Sequence, residues 1–196
     1  MPKPKQHTDG RVARGERTRE AIVAAHTELL LEGVLKPTGQ AIADRAEVSV
    51  RTLWANFKDL EALLNETTAY WMASDADLQQ PIDSNRPLAE RIDRFCDQRG
   101  RRLEHIAPAA RSAALGEPFS AALQRSRQEH IARLRSEVET VFEPELEAAG
   151  SERDELTFAL VAATGWSTWQ MHRDDLGISS DAAVATMRRT CIALLA

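Results

Sequence analysis

No stretch of this sequence alternates apolar and polar residues for long enough to make a β-strand, so the chain has to bury its core between helices. From Arg14 onward apolar positions recur at helical spacing, punctuated by Gly, Pro and Ser or Asp. The chain is rich in Ala and Leu and has a single tyrosine, which suits helices. Its 196 residues, 43% apolar and 28% charged, are ample for a buried core and exclude wholesale disorder. The longest weakly polar run, 159–166, contains Thr164 and Gly165 and falls far short of the roughly 18 residues of a membrane span, so no membrane partner is expected. Met1-Pro2-Lys3-Pro4-Lys5 is basic, but no apolar region follows, so no secretory signal is expected. Cys96 and Cys191 are too few and too far apart for a disulfide scaffold or a Cys-rich zinc module, which makes a reducing cytoplasm the expected address.

The punctuation predicts an all-α fold of about nine helices. Residues 1–12 read as a flexible arm. A first helix over 13–32 carries the stripe Ile22, Ala25, Leu29 and Leu30 and stops at Gly33. Two short helices follow, 39–46 capped by Thr38 and 49–56 capped by Ser49. A linking helix over 58–80 bears Leu60, Leu63, Leu64 and Trp71, and the stretch 80–87 is loop-like. Beyond it the expected helices are 87–105, a short piece 108–115, 118–142 ended by Pro144, one capped by Ser151 reaching Arg173, and a last one capped by Ser180. The domains are therefore expected at 13–64 and 81–196.

Residues 38–57 carry the most information. Ala43 is small where two helices must approach, Val48 is apolar where the turn plugs the gap, and Leu53 faces inward opposite Arg51 and Thr52. That is what a helix-turn-helix needs: a second helix that lies in the major groove with its first side chains at base edges. Charge is distributed to match. Residues 1–58 hold ten Lys and Arg against seven Asp and Glu, while the whole chain has 25 against 30, so a basic start precedes an acidic body. A merely solvated basic tail, and a merely structural pair of short helices, are the ordinary alternatives.

Arg19, Ile22, Ala24-Ala25, Leu29, Gly33, Thr38, Ile42-Ala43, Val48-Ser49, Thr52-Leu53, Phe57, Leu60 and Leu63 recur in the order and spacing of the TetR-family DNA-binding domain. Residues 14–64 resemble that domain, and the helical remainder resembles the family's effector-binding and dimerisation domain in layout. The resemblance implies a bacterial, homodimeric transcriptional regulator, a repressor of a pseudo-palindromic double-stranded DNA operator that a small-molecule effector releases, with no cofactor. It implies that Thr38 touches phosphate, that Ser49, Val50, Arg51 and Thr52 face the groove with Arg51 on guanine, and that Trp54, Asn56 and Lys58 hold the backbone. Arg14, Arg17 and Arg19 would add nonspecific attraction, or Arg11 would reach the minor groove, with plain solvated surface the ordinary role for any one of the four. Three positions depart from the family: Glu47 stands for its usual turn Gly, Trp54 for Tyr and Asn56 for His. A left-handed Glu47 would cost about 1–2 kcal/mol.

In the second domain the resemblance implies a dimer through the last two helices, with Leu160 and Thr164 on the first of them and an apolar stripe of Val184, Met187, Cys191 and Leu194 or Leu195 on the second; the alternative is that both helices complete the subunit's own core. Phe95, Phe119, Phe142, Phe158, Trp166, Trp169 and Met171, with polar His130, Thr164, Gln170 and Arg173, are the candidates for an effector pocket, each aromatic being otherwise a core residue. The five histidines show no metal spacing, and no Gly-rich phosphate loop or Gly-x-Ser-x-Gly elbow occurs, so neither a metal site nor an enzyme is expected. A constitutive DNA binder without a ligand switch, and a helical enzyme or carrier, are the competing readings.

Overall fold

The computed structural model describes residues 7–196, and side chains from residue 12 onward. Among the described residues the fold is all-helical, as expected, and no helix is long and apolar enough to cross a membrane. The helices are α1 His7–Leu31, α2 Gly39–Arg45, α3 Val50–Asn56, α4 Leu60–Asp77, α5 Leu88–Gly116, α6 Ala121–Val141, α7 Glu143–Ala148, α8 Arg153–Thr164, α9 Trp166–Gln170 and α10 Ser180–Leu195. They form two compact units: residues up to Trp71 with Pro108–Leu123, and Met72–Ala107 with Gln124–Ala196. The loop-like stretch 80–87 lies inside the second unit. Residues 1–6 of the expected arm lie outside the described residues, and the rest of it belongs to α1.

In the first unit α1 packs against α2 and α3. Ile22, Leu29, Ile42, Ala43, Leu53, Phe57 and Leu63 form one buried cluster, with Val48 and Val50 packed on its margin. Burial of such side chains stabilises by about 1.5–3 kcal/mol each. Arg19 stitches the cluster's edge. Its guanidinium pairs with Glu66, donates to the carbonyl of Asn56, and lies 4.1 Å from the ring centroid of Phe57. Arg19, expected as a source of attraction for DNA, is thus engaged within the unit by Glu66 and Asn56.

Two helix ends are closed in the same way. After α1, Gly33 at φ +86° lets the Val34 N–H reach the Leu29 carbonyl and its own N–H the Leu30 carbonyl. After α2, Glu47 at φ +54° lets Val48 N–H reach the Ala43 carbonyl at 3.0 Å and Glu47 N–H the Asp44 carbonyl at 3.2 Å. This six-to-one pattern needs a left-handed residue, which Gly adopts freely and Glu does not. Glu47→Gly relieves about 1–2 kcal/mol of strain and returns about 0.4–1 kcal/mol through a more flexible unfolded chain. A net stabilisation of roughly 0.5–1 kcal/mol follows, measurable as a higher urea midpoint with unchanged slope.

The second unit is built on a larger cluster that includes Ile92, Phe95, Cys96, Leu103, Leu134, Val138, Phe142, Leu160, Trp169, Met187 and Cys191. Buried Arg91 fastens the start of α5 to the α6–α7 corner, donating to the Val141 carbonyl at 2.8 Å and to both carboxylate oxygens of Glu145.

Several helix limits differ from expectation. Helix α5 runs through Pro108 instead of stopping at 105, because buried Leu103, Ile106, Ala107 and Ala109 hold it on both sides of the one hydrogen bond the proline removes. Pro144 opens α7 in its first turn rather than merely ending α6. Ser151 caps nothing; it sits in a 3₁₀ turn, Gly150–Glu152, before α8. The helix expected to reach Arg173 is interrupted at Gly165, whose extended backbone (φ −80°, ψ 167°) separates α8 from α9, and continues as a π-helical turn, Met171–Asp175. Ser179, not Ser180, caps α10, accepting from the Ala182 N–H at 3.2 Å.

Candidate functional site

The expected nucleic-acid face is carried by α2 and α3. Each begins with a side-chain cap: Thr38 Oγ1 accepts from the Ala41 N–H at 3.2 Å, and Ser49 Oγ from the Thr52 N–H at 3.0 Å. These caps satisfy donors that the first turn leaves open. Leu53 and Phe57 are sealed in the core, which fixes the rotation of α3 about its own axis. The opposite side then holds Arg51, Trp54 and Ala55, all exposed. Among the described residues Arg51 has neither an ion-pair nor a hydrogen-bond partner.

The other members of the face are placed less uniformly. Thr38 and Ser49 are exposed but already serve as caps, and Thr52 Oγ1 lies 2.8 Å from Ser49 Oγ. Val50 is half-buried and packs on the core margin, because the first turn of so short a helix must also seal the unit. Asn56 is half-buried and donates to the Thr52 carbonyl at 2.8 Å, so part of its amide is spent within α3. Lys58 is exposed, with its Nζ 3.7 Å from Asp59. Trp54 lies over the start of α2: a Cβ placed on Gly39 would sit 2.5 Å from Trp54 Cζ2. The missing side chain at Gly39 is what lets the indole seat there. Arg14 and Arg17 are exposed on α1. The side chain of Arg11 lies outside the described residues.

The expected pocket residues are not gathered into one lining. Phe95 and Phe142 meet edge to face in the core, with centroids 5.2 Å apart, and Trp169 is fully buried in the same cluster. Phe119 is 89% exposed and belongs to the first unit, because it falls in the 3₁₀ turn Glu117–Phe119 after α5. Phe158 is 55% exposed, with Arg135 5.3 Å from its ring centroid, and Met171 is exposed too. Trp166 and Gln170 are half-buried. Trp169 donates through Nε1 to Glu104 at 3.0 Å, and Arg173 donates to the same carboxylate at 2.8 Å.

The dimer stripe is corrected more sharply. Leu160, Thr164, Met187, Cys191 and Leu195 are buried in the unit's own core, and Val184 packs against it. Hydrophobic periodicity finds a stripe but does not say which body it meets.

What the second unit does bring together is a cluster of charge that sequence inspection missed. Arg102 donates to both oxygens of Asp75 at 2.9 Å and to Glu137 at 2.8 Å, all three buried. Gln98 donates to the second oxygen of Glu137 at 3.2 Å and accepts from the Gln80 N–H at 2.7 Å. Arg99, fully buried, donates to the Thr164 carbonyl at 2.9 Å, and one of its terminal nitrogens lies 3.2 Å from His130 Nε2. A guanidinium only donates, so His130 Nε2 must accept and the ring proton resides on Nδ1. Burial, then the adjacent Arg99 charge, depress His130 to about 4. Burial likewise lowers Arg99 to about 10. A signal was present: on α5, Arg99 and Arg102 continue the buried series Ile92, Phe95, Cys96, Leu103 and Ile106 at helical spacing. Arginines in a core stripe require buried carboxylates elsewhere. Among the described residues no group of His, Cys, Asp and Glu is arranged to hold a metal ion.

No known family model, curated protein or solved structure matches the chain.

Proposed function

We propose that this protein is a DNA-binding transcriptional regulator, a homodimeric repressor of the TetR type released from a pseudo-palindromic operator by a small-molecule effector. The observation that carries the reading is Arg51: an exposed, unpaired guanidinium on a short capped helix whose rotation is fixed by buried Leu53 and Phe57. A planar donor fork held so is suited to the two acceptors on a guanine edge. Ser49 and Trp54 flank it, and Lys58 adds charge for the backbone. With the inner stripe of α10 spent on its own core, self-association falls to the outward side of α8 and α10, where Phe158 and Ile192 are 55% and 51% exposed among exposed Ala162, Ala185 and Ala193. Helix α5 contributes residues to both units, changing from one to the other at Pro108, and gives a continuous chain segment through which effector and operator can each favour a different arrangement.

The test is a gel-shift with duplex from around the protein's own gene. Wild type retards the operator, with affinity falling steeply as salt rises. Arg51→Ala loses about 5- to 150-fold of preference at one base-pair position per half-site, corresponding to about 1–3 kcal/mol. If both proteins bind operator and random duplex alike, the assignment of Arg51 is wrong. If neither binds DNA, the reading as a regulator falls with it.

A further inference from the structure

The only two cysteines in the chain are 95 residues apart, yet their sulfurs meet 4.0 Å apart in the core of the second unit. Cys96 lies on α5 and Cys191 on α10, and both are fully buried. The contact sits within a consistent antiparallel seam. One turn along α5, Gly100 faces Val184: a Cβ placed on the glycine would lie 2.4 Å from Val184 Cγ2. Arg188, between Val184 and Cys191 on α10, bridges to Asp93 and Asp97, each at 2.7 Å. A glycine that permits close approach, with ion pairs that hold the register, keeps the two thiols opposite each other.

We infer that Cys96 and Cys191 are a thiol-oxidation site, which a peroxide converts to a reversible disulfide joining α5 to α10. This goes beyond the proposed regulatory function and does not depend on it. Closing the bond brings the sulfurs from 4.0 Å to about 2.0 Å. The Cys96 S–H donates to Cys191 Sγ, which holds the Cys191 thiol below its ordinary range, whereas that hydrogen bond and burial push Cys96 up. We take Cys191, the acceptor of that hydrogen bond, as the sulfur that attacks, in its thiolate form. Its sulfur takes the distal oxygen of the peroxide, whose O–O bond breaks and whose other oxygen leaves as water for hydrogen peroxide or as an alcohol for an alkyl hydroperoxide. Cys96 then attacks the sulfenic sulfur and expels its oxygen as water. Two thiols are oxidised, one peroxide is reduced, and both thiol protons leave in the products. Burial makes local opening of the seam the route of entry for so small an oxidant.

The test uses the full chain, folded and reduced, treated with hydrogen peroxide, acid-quenched, unfolded, alkylated and weighed intact. The expected product is a monomer lighter by two hydrogens, in which the alkylatable thiols fall from two to zero together and return with dithiothreitol. A digest would contain the Cys96–Cys191 linked peptide. Cys96→Ala should instead stop at the sulfenic acid of Cys191, trapped by dimedone, or pass to higher oxides; this arm also reports which sulfur is attacked. Independent sulfinic acids on the wild type, a disulfide between chains, or thiol loss no faster than global unfolding would each overturn the assignment. Circular dichroism of the treated wild type checks that it stayed folded, so the outcome does not depend on a variant folding.

Discussion

Arg102→Met is expected to destabilise the second unit by about 3–5 kcal/mol, the cost of leaving buried carboxylates without their partner. Arg102 occupies both oxygens of Asp75 and one of Glu137, and Asp75 is 1% exposed. With Arg102 gone, Asp75 loses its bidentate donor, and two carboxylates face the single remaining charge of Arg99. The double variant Arg102→Met with Asp75→Leu should recover most of the loss. It removes one charge of each sign, so Arg99 still balances Glu137, and Gln98 still donates to Glu137. Urea unfolding of wild type, the two single variants and the double variant gives the coupling between the two positions directly. Equal stability of wild type and Arg102→Met would mean that water, not the guanidinium, satisfies these carboxylates.

Acid should weaken each unit through one histidine. His26 in the first unit is depressed to about 4 by burial, with its Nδ1 2.9 Å from Thr67 Oγ1. His130 in the second is depressed to about 4 by burial and by Arg99. Both are neutral in the folded chain at pH values where the unfolded chain, near 6.5, already binds a proton. Their contribution is therefore complete above pH 6.5 and is lost as the pH falls from there towards 4. The slope is about 1.4 kcal/mol per pH unit for each histidine, or about 2 kcal/mol each between pH 8 and pH 5. Denaturant titrations at those two pH values check it, and His26→Gln should remove the first unit's share while leaving the second's. The carboxylates held low by arginine, Asp75 and Glu145 among them, act at still lower pH and do not confuse the window.

The short capped helices α2 and α3 and the end of α1 were legible in the sequence because each of their signals is local. Thr38 and Ser49 cap within three residues, Gly33 and Glu47 reverse the backbone where they stand, and Leu53 is inward because its helix is amphipathic. The same locality explains the errors. Pro108 is a helix breaker by propensity, but packing of its neighbours overrides that preference.

Sequence periodicity by itself determined that the chain is helical, where most helices lie, and that Arg51 and Leu53 look in opposite directions. Only the tertiary structure decided that the stripe of α10 seals its own unit, that Phe119 and Phe95 belong to different units, and that Asp75, Arg102 and Glu137 share one buried site. A helical repeat specifies which side of a helix is apolar; what that side touches, and which distant charge compensates a buried one, is set by the packing of segments far apart in the chain.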